Sequence, residues 1–176
     1  MNRILKLVSL TLLLMSAAAA AGAKTAGDRV DDSWIHTKVK SALVGLGTSN
    51  INVEVHQGLV QLAGFANSDE DRKTAEKSAL AVKGVRDVSN QIVVQTSTRS
   101  AGQTLDDGVV AGKVKTELAD HETTSAFRIN VEVRHGVVLL SGFVGTNAER
   151  NEALKVAAGV DGVIDVINGM DLAPVS

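Results

Sequence analysis

INVEVHQGLVQLAGF at residues 51–65 and INVEVRHGVVLLSGF at residues 129–143 are the stretches that decide the fold. Apolar and polar residues alternate over the first five positions of each, which is typical of a β-strand with one buried face. Gly58 or Gly136 then marks a short turn where glycine supplies a positive φ, and a second apolar strand follows. The chain therefore carries two β-hairpins of the same design.

The repetition extends beyond the hairpins on both sides. Upstream, an Asp-Asp pair at 31–32 recurs at 106–107. Downstream, GVRDVSN at 84–90 recurs as GVIDVIN at 162–168. The second copy gains three residues between its first helix and its hairpin, around 121–127. Because a repeat of this length is the signature of a duplicated structural unit, we predict one unit written twice.

Each copy is predicted to run helix, strand, strand, helix, strand, which makes the fold class α+β with a three-stranded mixed sheet packed on two helices. Asp31 or Asp32 is a plausible N-cap of the first helix. Thr146 and Glu149 form a capping box for the second helix of copy two. Structural glycines are predicted in both copies: at the hairpin turn Gly58 and Gly136, at the strand end Gly64 and Gly142, and at the end of the second helix Gly84 and Gly162.

The predicted domain boundaries follow the repeat. The first unit spans 28–95 and the second spans 105–173. The stretch between them, 96–104, has the polar sequence TSTRSAGQT and is predicted to be a short flexible linker. Its composition favours some independence of the two units, although packing as a pseudo-symmetric pair is the open alternative.

Residues 1–23 are predicted to be a cleavable secretory signal peptide. Basic Arg3 and Lys6 precede an apolar stretch, and Ala21-Gly22-Ala23 forms a small-residue cleavage site. The alternative, an uncleaved anchor helix, is disfavoured because the apolar run is short and interrupted by polar residues. Because no Cys follows the cleavage site, a lipoprotein is not expected. We therefore predict a periplasmic protein.

Composition excludes several function classes. The 176 residues include 18 Lys plus Arg against 20 Asp plus Glu, and only 2% are aromatic, which argues against a nucleic-acid-binding surface. No Cys is present for a thiol nucleophile or a zinc-thiolate site. The four histidines share no zinc-type spacing and are interpreted as surface residues. The sequence predicts no catalytic residues, no metal site and no cofactor.

The ordered motifs resemble those of the BON domain, named for bacterial osmotically induced periplasmic proteins and nodulation proteins. The resemblance lies in a helix opening near D-D, a hairpin ending in L-x-G-F, an Ala-rich helix, and G-V-x-x-V-x-N. Two tandem copies behind a signal peptide are similar to OsmY-like periplasmic members of that family. The segment 32–39 also resembles the first helix of a lipid-binding BON domain in an outer-membrane-associated lipoprotein.

The candidate contact residues on the first helix are Trp34, Lys38 and Lys40. With Ile35 and Val39 on the core side, Trp34 lies to one side of the helix and Lys38 lies one turn beyond it. A Trp beside a Lys suits a membrane interface or a partner surface. The alternative is that Trp34 packs against the linker or the other unit.

Phe127, in the additional segment of copy two, has no equivalent in copy one. It is expected either to fill its own core or to mark a binding edge.

The resemblance implies a non-enzymatic envelope protein associated with osmotic and other envelope stress. Its expected partners are exported or envelope proteins, bound in a chaperone-like manner, and not nucleic acid. Binding by strand addition at a sheet edge, or on an apolar helix face, is the physical route considered. The alternative function is a peripheral module that contacts an anionic phospholipid surface through the first helix.

Overall fold

The computed structural model describes residues 31–46, 51–96 and 101–174, so the predicted signal peptide lies outside the described residues. The first unit contains α1 (Asp32–Leu43), β1 (Asn52–His56), β2 (Leu59–Ala66), α2 (Asp69–Leu80) and β3 (Asp87–Val94). The second contains α3 (Ala101–Asp120), a short 3-10 helix (Ala126–Arg128), β4 (Asn130–Arg134), β5 (Val137–Val144), α4 (Asn147–Ala158) and β6 (Asp165–Leu172). The predicted α+β fold with two αββαβ units is confirmed.

Each unit has a three-stranded mixed sheet, and the second strand of its hairpin lies at the centre. In the first, β2 pairs antiparallel with β1 and parallel with β3. In the second, β5 pairs in the same way with β4 and β6. Gln57 and His135 take positive φ values of 52° and 54° at the hairpin turns, each followed by a glycine that also has positive φ. All six glycines named from the sequence have positive φ.

The bounds of the helices agree with the predictions at the start of α1 and differ from them at the end of α2 and the start of α3. Asp31 is the N-cap of α1, and its carboxylate accepts the Ser33 N–H at 2.8 Å. Helix α2 ends at Leu80, several residues before Gly84, so the prediction that Gly84 ends this helix is wrong. Gly84 instead lies in the turn that leads into β3, while α3 already begins at Ala101, inside the segment predicted as linker.

Two separate hydrophobic cores hold the units. The first core joins Ile35 and Val39 of α1 and Ala75 of α2 to one face of its sheet. The second joins Val114 of α3 and Ala153 of α4 to the equivalent face. Neither core contains a residue of the other unit. Among the described residues, no helix has the length and apolar character that crossing a membrane requires.

On each of the outer strands β3 and β6, an asparagine side chain accepts an N–H group of its own strand. The Ile92 N–H donates to Asn90 Oδ1 at 3.2 Å, and the Met170 N–H donates to Asn168 Oδ1 at 3.1 Å. Because these N–H groups already have acceptors, they are less available to a further strand. On the opposite edge, Val53 of β1 is fully buried, while the other four residues of that strand are partly exposed.

The two units pack against each other through the sheet faces that point away from the helices, here called the inner faces. An ideal Cβ built on Gly169 of β6 would lie 3.2 Å from the Cβ of Gln91 on β3. These residues occupy equivalent positions in the two units, so their contact lies near a local twofold axis. The independence that the linker composition suggested is therefore absent, and the alternative of a pseudo-symmetric pair is the one observed.

Candidate functional site

A carboxylate on the first helix of each unit anchors the hairpin turn of that unit. Asp32 accepts the N–H groups of Gln57 and Gly58 at 2.7 and 2.8 Å. In the second unit, Asp107 accepts the N–H of Gly136 at 3.0 Å and that of the preceding residue at the same distance. Charge-assisted hydrogen bonds of this kind are among the stronger ones in proteins. The second Asp of each Asp-Asp pair therefore fixes the position of the first helix relative to the hairpin turn of its unit.

The outer surface of α1 carries an aromatic side chain paired with a cation. Trp34 is 41% exposed, and the Lys38 Nζ lies 5.6 Å from the centre of its ring. At this distance the ammonium is attracted to the face of the indole. Ile35 and Val39, on the other side of the helix, are buried. The helix thus presents an apolar ring and a positive charge together, beside its core-facing stripe.

The structure does not bring Lys40 into this pair. Lys40 is exposed and follows Lys38 by two residues, which places it roughly 200° further around the helix. On α3 of the second unit, the position equivalent to Trp34 is Val109, which is also exposed. The Trp34–Lys38 pair is therefore a feature of the first unit.

A single glutamine links the inner faces at the centre of the contact. Gln61 of β2 is 1% exposed, and its Nε2 donates to the Asp171 carboxylate at 2.7 Å. Its Oε1 accepts the Gly142 N–H at 2.5 Å. Leu139 occupies the equivalent position in the second unit and is fully buried. The pseudo-symmetric contact is therefore polar on one side of its axis and apolar on the other.

Further polar contacts surround that centre. Asn130 Nδ2 donates to Glu54 Oε1 at 2.9 Å, and an Arg134 guanidinium N–H donates to Asn67 Oδ1, also at 2.9 Å. The His56 ring lies 5.7 Å from the ring of Phe143. The interpretation of the histidines as surface residues is wrong for His56, because it is half-buried between the two sheets.

Comparison with protein families gives the same division of the chain. Residues 31–96 and residues 106–174 each match the BON domain. The chain belongs to the BON-domain family. The two units are thus tandem BON domains, and the anchored hairpin and inner-face contact described above are features of such a pair.

Two curated relatives and one solved structure are similar to this BON protein. It is 34% identical to osmotically-inducible protein Y of Escherichia coli, over 82% of this chain and 74% of that protein. It is 27% identical to the outer membrane lipoprotein DolP of Haemophilus influenzae, over 87% of this chain and 80% of that protein. The type III secretion protein CdsD of Chlamydia trachomatis is similar at a TM-score of 0.36 and 11% identity, covering 80% of this chain and 92% of that chain, which is too weak to bear on function.

The second BON domain displays Phe127 on a firmly held loop. Phe127 lies in the short 3-10 helix and is fully exposed, so it does not fill its own core. The neighbouring Arg128 bonds the Ser125 hydroxyl at 2.8 Å, and the Ser125 N–H donates to Glu149 Oε1 at 3.1 Å. The loop is thereby fastened to the start of α4 while the phenyl ring remains in water.

Glu149 is the buried carboxylate that organises this loop. Its backbone N–H donates to Thr146 Oγ1 at 3.1 Å, which confirms that half of the predicted capping box. The carboxylate accepts the Gly145 N–H at 2.9 Å, one residue before the cap. Burial raises the pKa of Glu149, but the N–H donors of Gly145 and Ser125 and the charge of Arg128 outweigh it, so the pKa is lowered from 4.5.

Thr123, His121 and Glu152 of the second domain lie in a row, as the three residues of a hydrolase triad do. His121 Nδ1 lies 3.1 Å from the Thr123 hydroxyl, and its Nε2 lies 3.4 Å from Glu152 Oε1. Both His121 and Thr123 are open to water, and Glu152 is shared with Lys155, also at 3.4 Å. A solvated row of this kind lacks the dry, preorganised setting that activates a nucleophile. Within the described residues no group of His, Asp and Glu suited to a metal ion occurs.

Proposed function

We propose that this BON protein is an exported osmotic- or envelope-stress protein of the periplasm that acts by binding other exported proteins. Membership of the BON family supports this proposal. So do the relatives named as osmotically inducible and as an outer membrane lipoprotein. The predicted signal peptide is consistent with export. The proposal involves no chemical step and no cofactor.

The observation that carries the proposal is Phe127. Hydrogen bonds from its neighbours hold the loop, and the ring remains wholly in water. Burial of a Phe side chain against a partner gains about 1.5–3 kcal/mol, and a loop that is already ordered loses little entropy on binding. Exported proteins that have not yet folded expose the apolar segments that such a side chain contacts.

Suppression of aggregation tests this proposal. Residues 24–176 are added to a chemically unfolded periplasmic protein as it is diluted from denaturant, and light scattering is followed. We expect suppression by the wild type and the loss of at least about half of it in Phe127→Ser, because one anchor is removed. Leu80→Ser, which removes a half-exposed leucine from the other domain, is the matched control. Absence of suppression by the wild type contradicts the proposal.

A second candidate function is peripheral contact with an anionic phospholipid surface. The observation that favours it is the exposed Trp34 ring with the Lys38 ammonium 5.6 Å away. Trp prefers the membrane interface, and Lys is attracted to anionic headgroups. Because the contact is small, the binding is expected to be weak and reversible.

Vesicle co-sedimentation tests the second candidate. Vesicles of phosphatidylglycerol and of phosphatidylcholine are compared at low and high salt. Binding only to the anionic vesicles, weakened by salt and lost in Trp34→Ala, supports the contact, because salt screens surface charge. Val109→Ala changes the same helix position in the second domain and is expected to retain binding. Equal binding to both lipids contradicts the electrostatic part of the candidate.

A further inference from the structure

The inner faces carry apolar side chains that belong to neither hydrophobic core. On the first BON domain they are Leu59, Phe65 and Val93, and on the second they are Val137, Leu139, Phe143 and Ile167. Polar side chains such as Gln61 and Asn130 lie among them. The contact between the domains therefore combines apolar and amide groups, as an interface that opens and closes does.

The contact between the domains also contains a buried polar group without a hydrogen bond in the described part of the chain. The Ser141 side chain is fully buried on the inner face of β5, and its hydroxyl has no hydrogen-bond partner among the described residues. A buried hydroxyl without a partner opposes closure, because water would satisfy it in an open form. The Glu54 and Asp171 carboxylates on the same faces would likewise regain water when the faces part.

Separation of the faces leaves both domains intact. The core of the first domain and that of the second share no residue, and each lies between its own sheet and its own helices. The chain between β3 and α3 is the covalent connection. Separation of the two domains therefore breaks the contact between the inner faces and leaves both hydrophobic cores intact.

The sheet edges offer less than the faces to an extended polypeptide. Asn90 and Asn168 each accept one N–H group of their own strand, β3 or β6, which is then less available to an added strand. Strand addition at the edges of β3 and β6 is therefore disfavoured. An opened inner face presents apolar and amide groups in rows, which match the alternating side chains and polar backbone of an extended segment.

We propose that the two BON domains separate without unfolding, and that the opened inner faces bind extended, partly apolar segments of exported proteins. This inference rests on the proposed function and names the surface that performs it. The occupant is unfolded polypeptide, because these faces already bind a polypeptide surface of mixed polarity when the protein is closed. Phe127, outside this contact, serves as an additional anchor.

Thiol reactivity measures the opening directly, because the wild type has no Cys. Ser141→Cys places a thiol in the buried inner-face contact, and Ala153→Cys places one in the core of the second domain. Opening without unfolding predicts that the first thiol reacts with a maleimide at least about tenfold faster than the second. Circular dichroism verifies that both variants are folded. Equal, slow rates overturn the inference.

A disulfide that locks the faces tests the binding surface. Gln91→Cys combined with Gly169→Cys places two Cβ atoms about 3.2 Å apart, close enough to bridge after a small adjustment. We expect the oxidised variant to lose at least half of the suppression of aggregation, and reduction of the same sample to restore it. Suppression that is unchanged by the lock overturns the assignment of the surface. Failure of the wild type to suppress aggregation overturns the proposed function and this binding role together, while the thiol rates still report whether the domains open.

Discussion

Asp107, the seventh residue of α3, accepts the N–H of Gly136 in the hairpin turn at 3.0 Å. Asp107 is 5% exposed and bonds the neighbouring N–H of the turn as well. We expect Asp107→Ala to lower the free energy of unfolding by about 2–3 kcal/mol, because it leaves buried donors without an acceptor. Urea denaturation measures the change. Asp106→Ala, at an exposed position, is the control, and an equal loss there would contradict the special role of Asp107.

Glu149 makes stability depend on acid. Its pKa is lowered in the folded protein, so its contribution is fully present above its ordinary value of 4.5 and is lost as pH falls through the lowered pKa. We expect the free energy of unfolding to decline below about pH 4.5, and Glu149→Gln to reduce that dependence while lowering stability at neutral pH. Denaturation series from neutral to acid pH measure both. Glu122→Gln, an exposed substitution on the same loop, should preserve the wild-type pH profile.

Ser141 and Ala63 occupy equivalent positions on the inner faces and permit a reciprocal exchange. We expect Ser141→Ala to raise stability by about 1 kcal/mol, because it removes a buried hydroxyl that lacks a partner among the described residues. Ala63→Ser adds a hydroxyl at a buried site and is expected to have the opposite effect. Thermal unfolding of the two variants measures the difference. A stabilised Ala63→Ser would contradict this interpretation.

Substitution of two glycines of the second domain by alanine is expected to change the free energy of unfolding in opposite directions. At Gly142, φ is +117° and a Cβ would collide with the carbonyl oxygen of Arg128. Gly142→Ala is expected to destabilise the protein by about 3 kcal/mol or more. Gly112, within α3, has open space around a Cβ, and Gly112→Ala is expected to stabilise by about 0.5–1 kcal/mol. Urea denaturation compares them, and similar effects of the two would contradict the geometry.

Cleavage after Ala23 is a prediction about processing. Expression of the full chain in a bacterium should yield a periplasmic protein whose sequence begins at Lys24. Intact mass spectrometry of the periplasmic extract measures this. Recovery of the uncleaved chain from the membrane fraction would instead support the anchor alternative.

The sequence predicted the fold well because each unit carries its own local signals. The alternation at 51–55 and the caps at Asp31 and Thr146 depend only on neighbours in the chain, and the repeat shows each of these local patterns twice. The end of α2 was predicted less well, because the turn that contains Gly84 begins before the glycine.

The site was predicted only in part. Helical periodicity placed Trp34 and Lys38 together, since residues four apart share a face. Gln61 was missed, because its two partners lie in the other domain and no local pattern relates them. One signal was available: a glutamine stands in the first copy where the second has Leu139, which marks a strand position that faces two different environments.

The asparagines at the edges of β3 and β6 bear on the association of this protein with further copies of itself. Exposed strand edges are where sheets of separate molecules join into fibrils. With Asn90 bonded to the Ile92 N–H and Asn168 bonded to the Met170 N–H, the edges of β3 and β6 each have one N–H group fewer to offer to a second molecule. Joining of molecules edge to edge at β3 and β6 is therefore disfavoured as the concentration of the protein rises.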